Sequence, residues 1–191
     1  MRPIVAFQGE SGAFSESAAQ RLVSGAITLL PMQTFDAVVR AVVDGHADLA
    51  VIPVENVIAG PVHAALDAMA PFASLERIGE TQLPIHLTLM GLAGARVESL
   101  REVLSHPMAL KQCTRFFATH PAIHAVEAPD TAGSARMVAV RRDETVAAIA
   151  PPWAAQQYGL SVIQEHLEDR DDNVTTFVLI RRKASTSPPQ G

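Results

Sequence analysis

Residues 3–8, Pro-Ile-Val-Ala-Phe-Gln, run into Gly9-Glu10-Ser11-Gly12-Ala13-Phe14-Ser15. The segment from Ser15 to Val23 then sets Ala18, Ala19, Leu22 and Val23 on one helical face. The first run has the length and unbroken apolarity of a buried strand, and the last has a helix period that Gly25 stops. The same pattern repeats downstream. Ala26–Leu30 reads as a second strand, and Thr34 is placed to cap a helix ended by Gly45. That helix turns Phe35, Val38, Val39, Val42 and Val43 inward. Asp48–Pro53 reads as a third strand and Val62–Met69 as a helix. Strands alternating with helices over short connections predict a parallel sheet covered on both faces.

A second set begins near Pro84. Ile85, Leu87 and Leu89 alternate with His86, Thr88 and Met90, the period of a strand. Further strands are expected at Val103-Leu104, Ile123–Val126, Val146–Ala150, around Val162 and at Thr175–Ile180. Helices are expected at Met108–Thr119, Thr131–Val140 and Pro152–Tyr158. The fold class is α/β: two small α/β lobes with a cleft between them. Residues 1–80 with 176–182 make lobe 1, residues 81–175 make lobe 2, and 183–191 are expected to be a disordered tail. Ligands in such folds sit outside the carboxyl ends of strands. That directs attention to residues 8–15, 54–61, 105–112, 128–134 and 169–177.

Composition narrows the partners. The chain has 191 residues, 48% hydrophobic and 18% charged, enough apolar content for a packed core. Cys113 stands alone, so neither an internal disulfide nor a four-cysteine zinc site is expected. Fifteen Lys+Arg against 20 Asp+Glu give −5, which argues against a nucleic-acid partner. No run approaches the roughly 18–20 apolar residues of a membrane span, so no membrane partner is expected. Without an export segment the expected location is cytoplasmic. The seven histidines show no ligand spacing, so no metal is expected. The apolar content raises a homodimer as a hypothesis.

Four segments can bear chemistry. The loop Gly9–Ser15 opens a helix whose N–H groups favour an anion, although it is neither G-x-G-x-x-G nor a Gly-Lys-Ser/Thr phosphate loop. Glu55 and Asn56, fixed at a strand end, can orient a polar ligand. Ser105-His106-Pro107 ends another strand, with Gln112 on the helix beyond. Adjacent Ser105 and His106 point to opposite faces and make no nucleophile–base pair. Asp169–Phe177 is an acidic loop whose Thr175 and Thr176 face the cleft if the chain recrosses there. Each segment also has a structural reading: a glycine turn, a turn cap, a core helix, and a solvated turn with threonines suited to a strand.

Taken together, these segments resemble the prephenate dehydratase family. The matching strings are VAFQGESGAFSESAA (5–19), IPVENVIAGPV (52–62), LPIHLTL (83–89), SHPMALKQC (105–113), DTAGSA (130–135), AAIA (147–150), YGL (158–160) and DRDDNVTTFVLI (169–180), over about residues 4–181. The resemblance implies a lobe arrangement like type II periplasmic binding proteins. It implies a lyase that converts prephenate, a small dicarboxylate, to phenylpyruvate with loss of CO2 and water, a step of phenylalanine biosynthesis needing no cofactor or metal. It assigns catalysis to Thr175 and substrate contacts to Asn56, Ser105 and Gln112, with Glu55 beside the site. Backbone N–H groups of Gly12, Ala13 and Phe14 would receive a carboxylate, and Thr176 stands where the family has arginine. Val57, Met108, Ala13 and Glu16 also depart from the family pattern. Family members usually carry a C-terminal ACT domain that binds phenylalanine; the chain stops before one, so that feedback is expected to be missing. The departures motivate two alternatives: a prephenate decarboxylase giving a non-aromatic product, and a non-catalytic dicarboxylate-binding module.

Overall fold

The computed structural model describes residues 1–184. The first lobe runs through β1 (Ile4–Gln8), α1 (Phe14–Leu22), β2 (Thr28–Met32), α2 (Phe35–Val43) and β3 (Leu49–Asn56). It continues with the short β4 (Gly60–Pro61), α3 (His63–Met69) and β5 (Leu75–Pro84). The second lobe holds β6 (Thr88–Gly91), β7 (Glu102–Ser105), α4 (Pro107–Lys111), α5 (Thr114–Thr119) and β8 (His124–Glu127). After these come α6 (Thr131–Arg141), β9 (Val146–Ala150), α7 (Ala154–Tyr158) and β10 (Ser161–Gln164), and β11 (Val174–Arg182) returns to the first lobe.

The two-lobed α/β class read from the sequence is the one observed, with one correction: both sheets are mixed rather than parallel. The first has the order β2-β1-β3-β11-β5, with β4 on β3, and the second β10-β6-β9-β7-β8. β1 runs parallel to β2 and β3, as βαβ units require. β11 enters from the other lobe instead of through a crossover helix, and so lies antiparallel to both β3 and β5. β11 pairs with β5 from Val174–Pro84 to Arg182–Leu75, which places residues 81–84 and 174–175 in the first sheet. The passages between lobes are therefore 85–87 and 165–173. Of the expected tail, Lys183 is docked, its N–H on Ser74 O at 2.8 Å and Nζ on Ala73 O at 2.7 Å. The remaining tail, 185–191, lies outside the described residues.

Local chemistry accounts for most elements. Val5 of β1 is fully buried with Ala18 and Ala19 of α1, Ala6 with the valines of α2, and Phe7 with Ala13 and Ala132. Each large buried side chain is worth roughly 1.5–3 kcal/mol. Thr34 caps α2, its Oγ1 accepting the Ala37 N–H at 3.1 Å, for about 1 kcal/mol. All five residues of β9 are buried, as a central strand covered on both faces requires. The single helix expected over 108–119 is two. Asp169, far along the chain, accepts the N–H groups of Thr114 (2.8 Å) and Arg115 (2.9 Å) and starts a new helix there. The strand expected from Ile85 begins only at Thr88, because Ile85 N–H is bonded to Asn173 O and Leu87 N–H to the Glu168 carboxylate.

Candidate active site

β11 presents Thr175 and Phe177 to the cleft and Thr176 to the opposite face. Thr175 pairs with Asn56 and Thr176 with Glu55, but Phe177 pairs with Pro53. The extra residue, Val54, is a bulge in β3. It brings Pro53 to the side of Asn56, although strict alternation would set residues three apart on opposite faces. Asn56, Thr175, Pro53 and Phe177 thus line one cavity of about 290 Å³ between the lobes.

The polarity of this site is fixed by two backbone groups. Asn56 Oδ1 accepts the N–H of Ile58 at 3.0 Å and of Ala59 at 2.9 Å, so its amide nitrogen must face the other way. That nitrogen donates to Thr175 Oγ1 and to Asn173 Oδ1, both at 2.8 Å. With its oxygen engaged, Asn173, 1% exposed, turns Nδ2 to Gln112 Oε1 at 3.0 Å. Thr175 Oγ1 is an acceptor in this chain and keeps its own proton for donation. Gln112 keeps both Nε2 hydrogens, which have no partner among the described residues. Asn56, using both ends of its amide, positions its neighbours.

The rest of the wall is chiefly apolar, with Phe35, Val62, Ile85, Leu87 and Phe177, and no Lys or Arg stands among the described lining residues. Two helix starts open on the cavity, through Ala13-Phe14-Ser15 of the first lobe and Asp130-Thr131 of the second. Ala13 O accepts the N–H of Glu16 and Ser17, which leaves the N–H groups of Phe14 and Ser15 as the free donors of the α1 turn. At α6 the Asp130 carboxylate already occupies the positive end, accepting the Gly133 N–H at 2.6 Å. Burial holds the His106 imidazole below its ordinary range, against the opposing pull of the Asp130 and Glu127 carboxylates. Its Nδ1 accepts the Met108 N–H at 3.2 Å, so the neutral ring carries its proton on Nε2.

Of the residues singled out in the sequence, Asn56, Gln112, Thr175, Ala13 and Phe14 meet at this cavity. Four others stand outside it. Ser105 is fully buried and donates to Ile149 O at 2.6 Å, tying β7 to β9. Gly12 donates its N–H to Glu16 Oε2 at 2.9 Å and accepts Trp153 Nε1–H at 2.8 Å. Glu55 is exposed, and Thr176, opposite it, accepts from Gln82 Nε2 at 3.4 Å. The residues that sequence reasoning missed are Asn173, His106, Asp130 and Thr131. In sequence Asn173 is one more polar residue of an acidic turn, and Asp130 one residue of the strand-end loop 128–134. The tell-tale signal for both was their place in strand-end loops.

Two mixed α/β lobes joined by two passages, with an oriented amide–hydroxyl chain in the cleft, define a two-lobed α/β protein with a polar site between its lobes. Residues 5–185 match the family model described as prephenate dehydratase, and the chain belongs to that family. It is 39% identical over 180 residues to Arogenate dehydratase 1 of Petunia hybrida, covering 94% of this chain and 42% of the relative. It is 36% identical over 188 residues to the bifunctional N-acyl-homoserine lactone acylase/prephenate dehydratase of Komagataeibacter europaeus, covering 98% of this chain and 66% of that one. The solved prephenate dehydratase of Arthrobacter aurescens in complex with L-Phe superposes with a TM-score of 0.85 at 31% identity, over 98% of this chain and 63% of its own. The chain thus spans less than half the length of the Petunia relative. Among the described residues no helix is long and apolar enough to cross a membrane.

Proposed function

We propose that this chain dehydrates and decarboxylates a cyclohexadienol acid, either prephenate or its amino counterpart arogenate. The observation that carries the reading is the Thr175 hydroxyl, held as an acceptor by Asn56 so that its proton is directed outward beside an apolar wall. In the reaction the ring carboxylate leaves as CO2. Its bonding electron pair enters the ring, and the ring hydroxyl departs with a solvent-derived proton as water. Negative charge gathers on the departing oxygen, where the Thr175 O–H donates a hydrogen bond that strengthens in the transition state. The apolar wall disfavours the localised carboxylate more than the dispersed charge that replaces it. Gln112 Nε2, His106 Nε2 and the free N–H groups of α1 supply donors for the remaining oxygens.

Prephenate, the substrate that the family resemblance implies, fits the carboxylate donors at α1. Arogenate is favoured by a specific feature: among the described residues the cavity wall offers the Asp130 carboxylate and no Lys or Arg, a match for an α-ammonium group. Family membership favours dehydration over the decarboxylase and binding-module alternatives. The acylase activity in the Komagataeibacter relative's name is said of that protein and is not carried over. We keep the cytoplasmic placement and a homodimer as part of the proposal.

The test is incubation with each substrate followed by mass spectrometry of the product. Phenylpyruvate from prephenate, or phenylalanine from arogenate, each lighter by CO2 and water, is the expected outcome. Loss of CO2 alone, or no turnover of either compound, would overturn the reading.

A further inference from the structure

The passages between the lobes carry a second cluster, on the outer side of the segment whose Ile85 and Leu87 line the cavity. His86 Nδ1 lies 2.8 Å from Glu168 Oε1, and His166 Nδ1 lies 3.2 Å from the same oxygen. The three ligand atoms all fall within 4.8 Å of one another, and the two imidazoles meet edge to face at 4.9 Å. Tetrahedral bonds of about 2.0–2.1 Å set ligand atoms roughly 3.3 Å apart, near the two histidine–Glu168 distances. The carboxylate is fixed in advance: Glu168 has a side chain 3% exposed, and its Oε2 accepts the Leu87 N–H at 2.7 Å. Burial raises its pKa, but the hydrogen bonds from Leu87, His86 and His166 outweigh that and keep it below the ordinary range. His166 sits at φ 54°, a left-handed conformation uncommon for non-glycine residues.

We infer that His86, His166 and Glu168 form a binding site for a borderline transition-metal cation of the Zn²⁺ class, bridging the two passages between the lobes. Two imidazole nitrogens and one carboxylate oxygen are a donor set that such ions take and that Mg²⁺ and Ca²⁺, which favour oxygen, do not. The buried second oxygen, bonded to a backbone N–H, supplies the outer support that orients a ligating carboxylate. His86 belongs to the outward passage, and His166 and Glu168 to the return. A bound ion therefore cross-links the two and stiffens the route by which the lobes move. No ligand spacing marks the site along the chain, because its residues are spread from 86 to 168.

The site is tested on chelator-stripped protein titrated with ZnCl2 by calorimetry, with melting followed in parallel. One Zn²⁺ per chain and a rise in Tm are expected, with no comparable response to MgCl2. His166→Asn keeps a residue tolerant of the left-handed conformation and should lower Zn²⁺ affinity at least about tenfold, the smallest loss seen even for outer-shell partners. His86→Ala, on a partly exposed side chain, is the second variant and should do the same. Failure of the parent protein to bind Zn²⁺, or binding that survives both substitutions unchanged, overturns the proposal.

Discussion

Because Asn56 Nδ2 donates to Thr175 Oγ1 over 2.8 Å, valine at position 175 keeps the side-chain shape and removes the outward proton. Loss of one donor aimed at developing charge costs about 10²–10³ in rate. Thr175→Val should therefore lower kcat by that factor with KM changed only a few-fold, and Thr175→Ser should recover most of it. Steady-state turnover checks this, and a fall in KM-related binding alone would remove Thr175 from the chemistry. Asp130 makes a separate prediction about substrate. Asparagine still caps α6 but has no charge for an ammonium. With a charged hydrogen bond worth about 1.5–3 kcal/mol, Asp130→Asn should reduce kcat/KM for arogenate about 10- to 100-fold. Prephenate turnover should hold or rise, whereas equal losses on both compounds would make Asp130 a structural cap only.

Elements here are decided partly by partners distant in sequence. α5 begins where the Asp169 carboxylate collects Thr114 N–H at 2.8 Å, Thr114 Oγ1 at 2.6 Å and Arg115 N–H at 2.9 Å. Asp169→Ala should destabilise the fold by about 1 kcal/mol, within the range of lost caps, as read by urea unfolding. Burial raises the Asp169 pKa, but these bonds and the Arg115 charge outweigh it and leave the group below its ordinary value. Its contribution is full above that ordinary value and is lost as pH falls below it, so parent and variant should converge in strong acid. The same distance effect explains what could and could not be read in the sequence. β1, α1, α2 and β9 announce themselves through apolar runs or helical spacing. β5, Leu-Glu-Arg-Ile-Gly-Glu-Thr-Gln-Leu-Pro, has no alternation; it is an edge strand that exists because β11 pairs along it. Thr175 and Asn56 could be found by their strand-end positions and the family resemblance. Asn173 stands in one of the same strand-end loops, but its burial could not be read there, since only the return of the chain buries it beside Asp169–Asp172.

At the scale of the whole molecule, the lobes are latched across the cleft by α7. Tyr158 O–H donates to Ser11 O at 2.6 Å and Trp153 Nε1–H to Gly12 O at 2.8 Å. The Phe14 and Trp153 rings meet edge to face at 5.5 Å. Two of these contacts hold the glycine loop just before Ala13 and the third holds Phe14 itself, so the second lobe keeps the first lobe's anion-facing turn in shape. A ligand bound to an unlatched loop must also order it, and that cost falls on binding rather than on chemistry. Tyr158→Phe removes one hydrogen bond, worth about 0.5–1.5 kcal/mol, and leaves the ring in place. It should raise KM about three- to tenfold while kcat changes less than twofold. Trp153 is the chain's sole tryptophan, so its emission reads the same latch directly. In the variant the free protein should emit further to the red, with saturating substrate restoring the parent spectrum. Unchanged KM and unchanged emission would mean that Trp153 and the Phe14 ring hold the lobes together without the tyrosine.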